Sequence, residues 1–108
     1  MSRAIKKIPY KFVHVYWIDI TSDSSWQSIE DVKDSKIPRW LSTGFLVGDD
    51  DDDIVRIVSD FNFKEDGSID DCGNSTIIPK CVVQEIKEVK WIFTSQKLLY
   101  IWLVYYQS

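Results

Sequence analysis

The stretch from Phe12 to Ile20, FVHVYWIDI, decides the fold class of this chain. It is dense in β-branched and aromatic residues, which favour strands, and it therefore predicts the first β-strand. Successive side chains of a strand point to opposite faces of a sheet. One face would carry Val13, Val15 and Trp17, and the other would carry Phe12, His14, Tyr16 and Ile18. Because both sets are largely apolar, we expect both faces to be at least partly covered and the strand to be central.

A short helix is predicted directly after this strand. Ser24 and Gln27 have the spacing of a capping box, in which each side chain satisfies a backbone N–H of the first turn. The helix should end near Ser35, because Pro38 disfavours helical geometry in the residue before it. Apolar residues recur at spacings of three and predict a face toward the core, formed by Trp26, Ile29 and Val32.

A β-hairpin is predicted in the middle of the chain. Its strands are Arg39–Val47 and Ile54–Phe61, joined by a turn over the acidic stretch Gly48–Asp53. Gly44 lies inside the first of these strands. A glycine in that position indicates a bulge or the close approach of another backbone segment.

Less regular sequence follows the hairpin. Lys64–Asn74 concentrates Gly, Asp and Asn and is predicted to form a loop or wide turn. Extended structure is expected to resume over Thr76–Ile78. A tight turn is then predicted at Pro79 and Lys80, because proline fixes its own φ and lacks a backbone donor. A further strand is expected over Val82–Val89.

The C-terminal stretch Trp91–Tyr106, WIFTSQKLLYIWLVYY, is unusually apolar. A membrane-spanning helix needs about 20 apolar residues, and this run is shorter and interrupted at Thr94–Lys97, so no membrane span is expected. Tyr100–Tyr106 combines strong β-propensity with an absence of charge, as aggregation-prone edges do. We expect the segment to form an extra strand or to join protomers in a homo-oligomer.

Length and charge restrict the function classes. A chain of 108 residues has room for one domain. Its net charge is −4, and ten acidic residues against two basic ones lie between Gly44 and Asn74. Nucleic acids and anionic membranes are negative themselves, so this charge disfavours broad electrostatic binding to either. A weakly basic start to the chain is formed by Arg3, Lys6, Lys7 and Lys11.

No catalytic, cofactor-binding or metal-binding constellation is predicted. The run Asp49–Asp53 lacks the ordered ligand spacing of a cation site and is better explained as a solvated turn. A calcium-loop template centred on Gly67 fails at two ligand positions. His14 is the only histidine and has no helper motif. Cys72 and Cys81 are expected to be free thiols, since the cytosol keeps thiols reduced.

The order of the predicted elements is that of a small SH3-like barrel. Four segments carry a more specific likeness: Tyr16–Asp19 (YWID), Ser25–Trp26, Thr43–Val47 (TGFLV) before its acidic turn, and Ile77–Lys80 (IIPK) before Val89. In these segments the chain resembles a group of small uncharacterised proteins of tailed bacteriophages. The resemblance covers roughly Phe12–Val89. It implies a viral origin and a location in the host cytoplasm, and it supplies no active site.

We therefore predict a mainly β fold, a small SH3-like barrel of about five strands. One short helix would follow the first strand, and an extra apolar strand would follow the barrel. Residues 1–10 would form a basic N-terminal extension, residues 11–89 the SH3-like domain and residues 90–108 the apolar C-terminal segment. The phage proteins usually stop near the final barrel strand, so the last segment leaves the assembly state open.

Aromatic residues supply the candidate binding site. Trp17 and Trp26 are predicted to lie in the core, which leaves the other three tryptophans as candidates for binding. Protein interfaces are enriched in Trp and Tyr, and basic side chains could complete a ligand site beside them. The candidate binding residues are Trp40, Trp91, Trp102, Tyr100, Arg39 and Lys80.

These features lead to a first hypothesis and two alternatives. The first is a phage accessory protein that binds a bacterial host protein, such as an antiviral defence factor, and sequesters or inhibits it without catalysis. The second is an oligomeric sponge that traps a nucleotide signal molecule between aromatic faces and basic side chains. The third is a nucleic-acid-binding barrel or an acidic mimic of DNA.

Overall fold

The structure is a computed structural model, which describes residues 8–48, 53–93 and 98–107, with side chains up to residue 90 within those ranges. Its elements in chain order are β1 (Phe12–Ile18), α1 (Ile29–Asp34), β2 (Arg39–Leu46), β3 (Ile54–Phe63), β4 (Ile69–Pro79), a 3-10 turn (Lys80–Val82), β5 (Val83–Phe93) and β6 (Leu98–Gln107). The six strands form one antiparallel sheet in the order β4-β3-β2-β1-β5-β6.

Strand β1 is central, as its two apolar faces predict. It pairs with β2 from Phe12 opposite Phe45 to Ile18 opposite Arg39, and it pairs with β5 on its other side. Val13 and Val15 are fully buried. The other face is half-buried, so both faces of the strand are covered to a substantial degree.

The core lies on the face of the sheet that Val13 and Val15 share. It is a cluster of aliphatic side chains from five strands: Val13, Val15, Leu46, Val55, Ile57, Ile78, Val83 and Ile86. No second layer covers this face in the described part of the chain, so its burial requires the sheet to curve over itself. The arrangement is consistent with a small barrel-like fold, although the described strands leave the sheet open, with β4 and β6 as its edges.

The fold-class prediction is confirmed. The chain is mainly β, with one short helix after the first strand and an extra strand at the C-terminal end. The predicted hairpin is present, because β2 and β3 pair in antiparallel register through Phe45 opposite Val58. The close approach of another backbone segment that Gly44 indicates is also present, because a Cβ there would lie only 2.9 Å from the carbonyl oxygen of Val58.

The predicted start and orientation of the helix are wrong. Helix α1 begins at Ile29, and Ser28 rather than Ser24 is its N-cap, accepting a hydrogen bond from the Asp31 N–H at 3.0 Å. The preceding residues form a local turn instead, because the Asp23 carboxylate accepts bonds from both the N–H and the hydroxyl of Ser25. The helix buries none of its residues, and the core is filled by strand residues without it.

The predicted loop Lys64–Asn74 is also too long. Strand β3 continues to Phe63 and β4 begins at Ile69, so only a tight turn separates them. In that turn the Lys64 N–H donates to Ser68 and the Gly67 N–H to Lys64, with Gly67 at a φ of 87°. The polar sequence that follows is tolerated in β4, because most of its side chains are exposed at the edge of the sheet.

Strand β6 pairs with β5 along almost its whole length. The register runs from Glu85 opposite Gln107 to Phe93 opposite Leu98, with one irregularity near Ile86. Leu98–Gln107, within the predicted C-terminal segment, is therefore an extra strand of the same sheet. No helix in the described residues is long and apolar enough to cross a membrane.

Candidate binding surface

The connection between β1 and β2 exposes apolar side chains that the core does not use. The relative exposure is 102% for Trp26, 66% for Ile29 and 54% for Val32. We name the set the connection patch, and its members are Ile20, Trp26, Ile29, Val32 and Ile37, all of them exposed. Single exposed apolar residues are ordinary, but five within 18 positions form a candidate interaction surface.

Hydrogen bonds at both ends of α1 fix the conformation of this part of the connection. Ser28 caps the start of α1, and the last turn closes where the Ser35 N–H donates to the Val32 carbonyl at 3.1 Å. The Ser35 hydroxyl also donates to the Asp31 carbonyl at 2.9 Å. Residues three apart lie on the same face of a helix, so Ile29 and Val32 are neighbours there. The exposed apolar pair is thus held on an ordered turn of helix.

The base of the connection is tied to the sheet. The Asp19 N–H donates to the Pro38 carbonyl at 3.2 Å, which brings the two ends of the connection together. Just beyond it, the half-exposed Trp40 stacks on Trp17 with ring centroids 6.3 Å apart. The Trp17 indole N–H donates to the Ser42 hydroxyl at 3.0 Å. The stacked Trp17–Trp40 pair, fixed by this hydrogen bond, therefore lies beside the connection patch.

The sequence-predicted candidates do not gather at one place. Arg39 and Trp40 adjoin each other at the start of β2, whereas Trp91 is the register partner of Tyr100 on the β5–β6 ladder. Trp102 lies opposite Val89 on the same ladder, and Lys80 belongs to the 3-10 turn.

Distances along β5 separate these residues. Val83, at its start, pairs with Trp17, and Trp91 lies eight residues further on, which at ~3.3 Å per residue is about 26 Å. Arg39 and Trp40 follow the connection patch directly in sequence, whereas Trp91, Tyr100 and Trp102 lie on a distant part of the sheet, so the six candidates do not form a single ligand pocket.

Aromatic packing covers the other face of the sheet. Phe45 contacts both Phe12 and Phe61, with ring centroids 5.1 and 5.4 Å apart, and Tyr10 stacks on Phe61 at 6.0 Å. Further along the same face, the Lys87 ammonium lies 5.5 Å from the centre of the Tyr16 ring. These contacts explain how the outward side of a single-layer sheet is shielded without a helix.

The described side chains show where titratable groups lie. They contain no cluster of three or more His, Cys, Asp or Glu placed to hold a metal ion. Cys72 and Cys81 are free and exposed.

Burial lowers the pKa of His14, and the positive charge of Lys87 lowers it further, so the imidazole is neutral at pH 7. Most of the Asp49–Asp53 run, considered above as a cation site, lies outside the described residues.

Negative charge concentrates at the far end of the β3–β4 hairpin. Exposed carboxylates there belong to Asp60, Glu65, Asp66, Asp70 and Asp71. The Asp66 carboxylate accepts bonds from the N–H and hydroxyl of Ser68, and Asn74 donates its amide to Asp60. These carboxylates therefore organise the hairpin itself, and they give it a surface that repels phosphate.

The sequence reasoning missed Trp26, Ile29 and Val32 as surface residues. Their spacing of three is typical of a helix face, but the same spacing suits a face that meets the core and one that meets a partner. No sequence signal separates the two cases, because the observed helix has only six residues and is shorter than the one that the capping-box spacing predicts. Comparisons with protein-family models, with curated proteins and with solved structures each found no match.

Proposed function

We propose that this protein is a non-catalytic binding protein that engages a partner protein through the connection patch. The observation that carries the proposal is the full exposure of Trp26, together with the outward face of α1. Following the likeness to phage proteins, the partner is a bacterial host protein. This protein binds it in the host cytoplasm and sequesters or inhibits it.

The energetics of exposed aromatic residues support a protein partner. Burying a tryptophan removes ~150–250 Å² from water, which at ~25 cal/mol per Å² contributes about 5 kcal/mol before the costs of association. Tryptophan is also enriched among residues that dominate binding energy, and such residues cluster near the centre of an interface. Trp26 has Ile29 and Val32 close in sequence, so it is suited to that central role.

The structure of the connection also supports recognition of a defined partner surface. An ordered helix loses less conformational entropy on binding than a flexible loop does, and α1 already has its cap and its closing hydrogen bonds. Charged side chains accompany the apolar ones on α1: Glu30, Asp31, Lys33 and Asp34. This combination matches an interface with an apolar centre and a polar rim.

The test is a comparison of three immobilised proteins in bacterial lysate. These are the wild type, Trp26→Ser, and Ile77→Ser as a matched control, because Ile77 is an exposed apolar residue on β4, away from the patch. Wild type and Ile77→Ser should retain the same host protein in a fixed ratio. Loss of a tryptophan hot spot typically costs 2–4 kcal/mol, so Trp26→Ser should bind it roughly 30- to 1,000-fold more weakly.

Two results would contradict the proposal. One is that no host protein is retained by the wild type in a reproducible ratio. The other is that a retained protein binds Trp26→Ser and Ile77→Ser equally well, which would move the interface away from the connection patch. Saturable binding of a nucleotide, detected as a rise in melting temperature, would instead favour the sponge hypothesis.

A further inference from the structure

Glu88 departs from the apolar pattern of the core face. Its register partner on β1 is the fully buried Val13, and residues paired across two strands share a face of the sheet. Glu88 therefore continues the row of core residues on β5 after Ile86. It is 8% exposed, and it is the one buried charged residue among the side chains that the structure describes. Burying a carboxylate costs free energy, so core packing alone does not account for a glutamate at this position.

The Glu88 carboxylate receives little compensation for its burial. Its one partner in the described part of the chain is the ammonium group of Lys90, whose Nζ lies 3.7 Å from Oε2, too far for a hydrogen bond. The Lys90 side chain is itself 51% exposed, so much of it stays in contact with water. An ionised carboxylate can accept about four hydrogen bonds on its two oxygens. Glu88 therefore retains most of its capacity to accept bonds from a donor.

A cleft of about 490 Å³ lies beside this carboxylate. It is lined by Ile8, Pro9, Tyr10, Lys11, Glu88 and Lys90. Its volume is within the range of small-molecule sites, ~300–1,000 Å³. The wall opposite β5 is held in place, because the Lys11 carbonyl accepts a bond from the Leu46 N–H at 2.8 Å and the Tyr10 ring stacks on Phe61. The cleft therefore combines a fixed wall with a buried carboxylate.

We propose that this cleft binds a small organic cation, whose ammonium or guanidinium group donates to the Glu88 carboxylate and displaces Lys90 from it. Such a group donates several charge-assisted hydrogen bonds, which are about twice as strong as neutral ones. Ile8 and Pro9 offer apolar surface for the carbon chain of the ligand, and the Tyr10 ring is suited to contact with a cation. The net charge of −4 also favours the approach of a positive ligand.

Burial decides the sign of the charge that the cleft binds. Lys11 and Lys90 also line it, but both residues are exposed, and solvated charges contribute little to an ion pair. The Glu88 carboxylate is buried, where charges are less screened and a missing partner costs more free energy. An anion in the cleft would lie against that carboxylate. The strongest contact that the cleft offers is therefore one with a positive group.

This site is separate from the proposed partner-binding surface. Tyr10 and Lys11 precede β1, whereas the connection patch follows its other end, and the seven residues of β1 span about 20 Å at ~3.3 Å per residue. The inference therefore goes beyond the proposed function. Cation binding is measured on the purified chain without any host protein, so either idea can fail while the other holds.

The first experiment titrates the full chain with three probes of matched chain length at constant ionic strength: n-butylammonium, n-butanol and butyrate. NMR follows the backbone N–H signals of Tyr10 and Glu88. Butylammonium should give saturable shifts with a dissociation constant of about 1–10 mM, as expected for a ligand of this size. Butanol should bind at least about tenfold more weakly, because it lacks the charge. Saturable binding of butyrate alone, or no saturable shift with butylammonium, would overturn the proposal.

A pair of glutamine variants tests the role of the carboxylate. Glu88→Gln keeps the shape of the side chain and removes its charge, so it should weaken butylammonium binding at least about tenfold. Glu85→Gln is the matched control, because Glu85 lies on the same strand, pairs with Lys87 at 3.4 Å and is not among the cleft residues. The control should bind like the wild type. Equal losses in the two variants would refute a site at Glu88.

A third variant, Lys90→Met, guards against a purely structural effect of Glu88→Gln. It keeps an apolar side chain and removes the ammonium group that the ligand has to displace. Butylammonium should bind this variant about 3- to 10-fold more tightly than the wild type. It should also raise the melting temperature of the variant more, since the ligand then supplies the missing partner of the carboxylate. Weaker binding to Lys90→Met would contradict displacement and overturn the proposal.

The last comparison distinguishes a free cation from a lysine side chain of another protein. The blocked tripeptide acetyl-Gly-Lys-Gly-amide carries the same ammonium group on a peptide backbone. Tighter binding of butylammonium than of the peptide is the expected result for a cleft of this volume. Tighter binding of the peptide would assign the cleft to a protein partner and refute a small-molecule site.

Discussion

Strand β1 and the connection that follows it are both rich in apolar residues, yet they have opposite environments. Val13 and Val15 of β1 are fully buried, whereas Trp26 of the connection is fully exposed and Val32 is 54% exposed. The difference is one of topology. Strand β1 is hydrogen-bonded on both sides and lies at the centre of a curved sheet, while α1 lies on a connection tied to the sheet at its base.

This contrast shows that the same residue type stabilises the fold in one region and is available for binding in the other. A buried valine contributes about 1.5–3 kcal/mol relative to an exposed one, and Val15 makes that contribution to folding. Val32 is 54% exposed, and that apolar surface is accessible to a partner. Equal substitutions in the two regions should therefore have very unequal effects on stability.

The largest effect is expected for Val15→Asp. This change places an unpaired carboxylate at a fully buried position in the core cluster, so it should lower the free energy of unfolding by more than about 4 kcal/mol. Urea denaturation followed by circular dichroism measures the loss. A change below about 1 kcal/mol would show that the position is accessible to water and that the core is placed elsewhere.

A smaller loss is expected for Gly44→Ala. The added Cβ would lie 2.9 Å from the Val58 carbonyl oxygen and 3.2 Å from the Ile57 Cβ, and overpacking of this kind costs about 1–3 kcal/mol. Gly73→Ala is the matched control on β4, because the nearest atom to its added Cβ is 3.9 Å away. The control should change the unfolding free energy by less than about 0.5 kcal/mol. Equal losses in both variants would refute a close approach at Gly44.

The pH dependence of stability should report the environment of His14. Its folded-state pKa lies below the ordinary value of 6.5, through burial first and the charge of Lys87 second. Below about pH 6.5 the unfolded chain therefore binds more protons than the folded one, and stability falls as pH falls. Urea midpoints between pH 5 and pH 8 should show this slope in the wild type and a weaker one in His14→Gln. A midpoint above 6.5 for His14 in an NMR titration would contradict the sign.

Sequence periodicity was sufficient to predict the strands with a clear inside and outside. The alternation around Val13 and Val15 identifies the central strand, and Gly44 marks the place where β3 approaches β2. Strand β4 was not predictable in full, because Asp70 and Asp71 have low β-propensity and are tolerated only at an exposed edge. The edge position is a tertiary property that local sequence does not encode.

The connection patch was less predictable than the sheet. The capping-box spacing indicates Ser24 as the helix cap, whereas the structure uses Ser28, because the Asp23 carboxylate holds the chain in a turn with Ser25 before it. The apolar spacing identified a helix face but not what the face contacts. Strand residues fill the core without Trp26, and no pattern within the connection distinguishes its exposure from burial.

The smallest effect on stability is expected for Val32→Asp, which makes the same chemical change as Val15→Asp. Because Val32 is 54% exposed and outside the core cluster, the free energy of unfolding should change by less than about 0.5 kcal/mol. Its matched control is Ile77→Asp, at a residue that is 55% exposed on β4.

Stability and binding should separate at this pair of positions. Both variants should unfold at wild-type urea concentrations, but only Val32→Asp should lose the host protein in the capture assay, since it puts a charge within the apolar connection patch. A loss of several kcal/mol for Val32→Asp would mean that α1 packs on the sheet after all. The connection would then belong to the core, as its spacing first suggested, and the proposed binding surface would lose its basis.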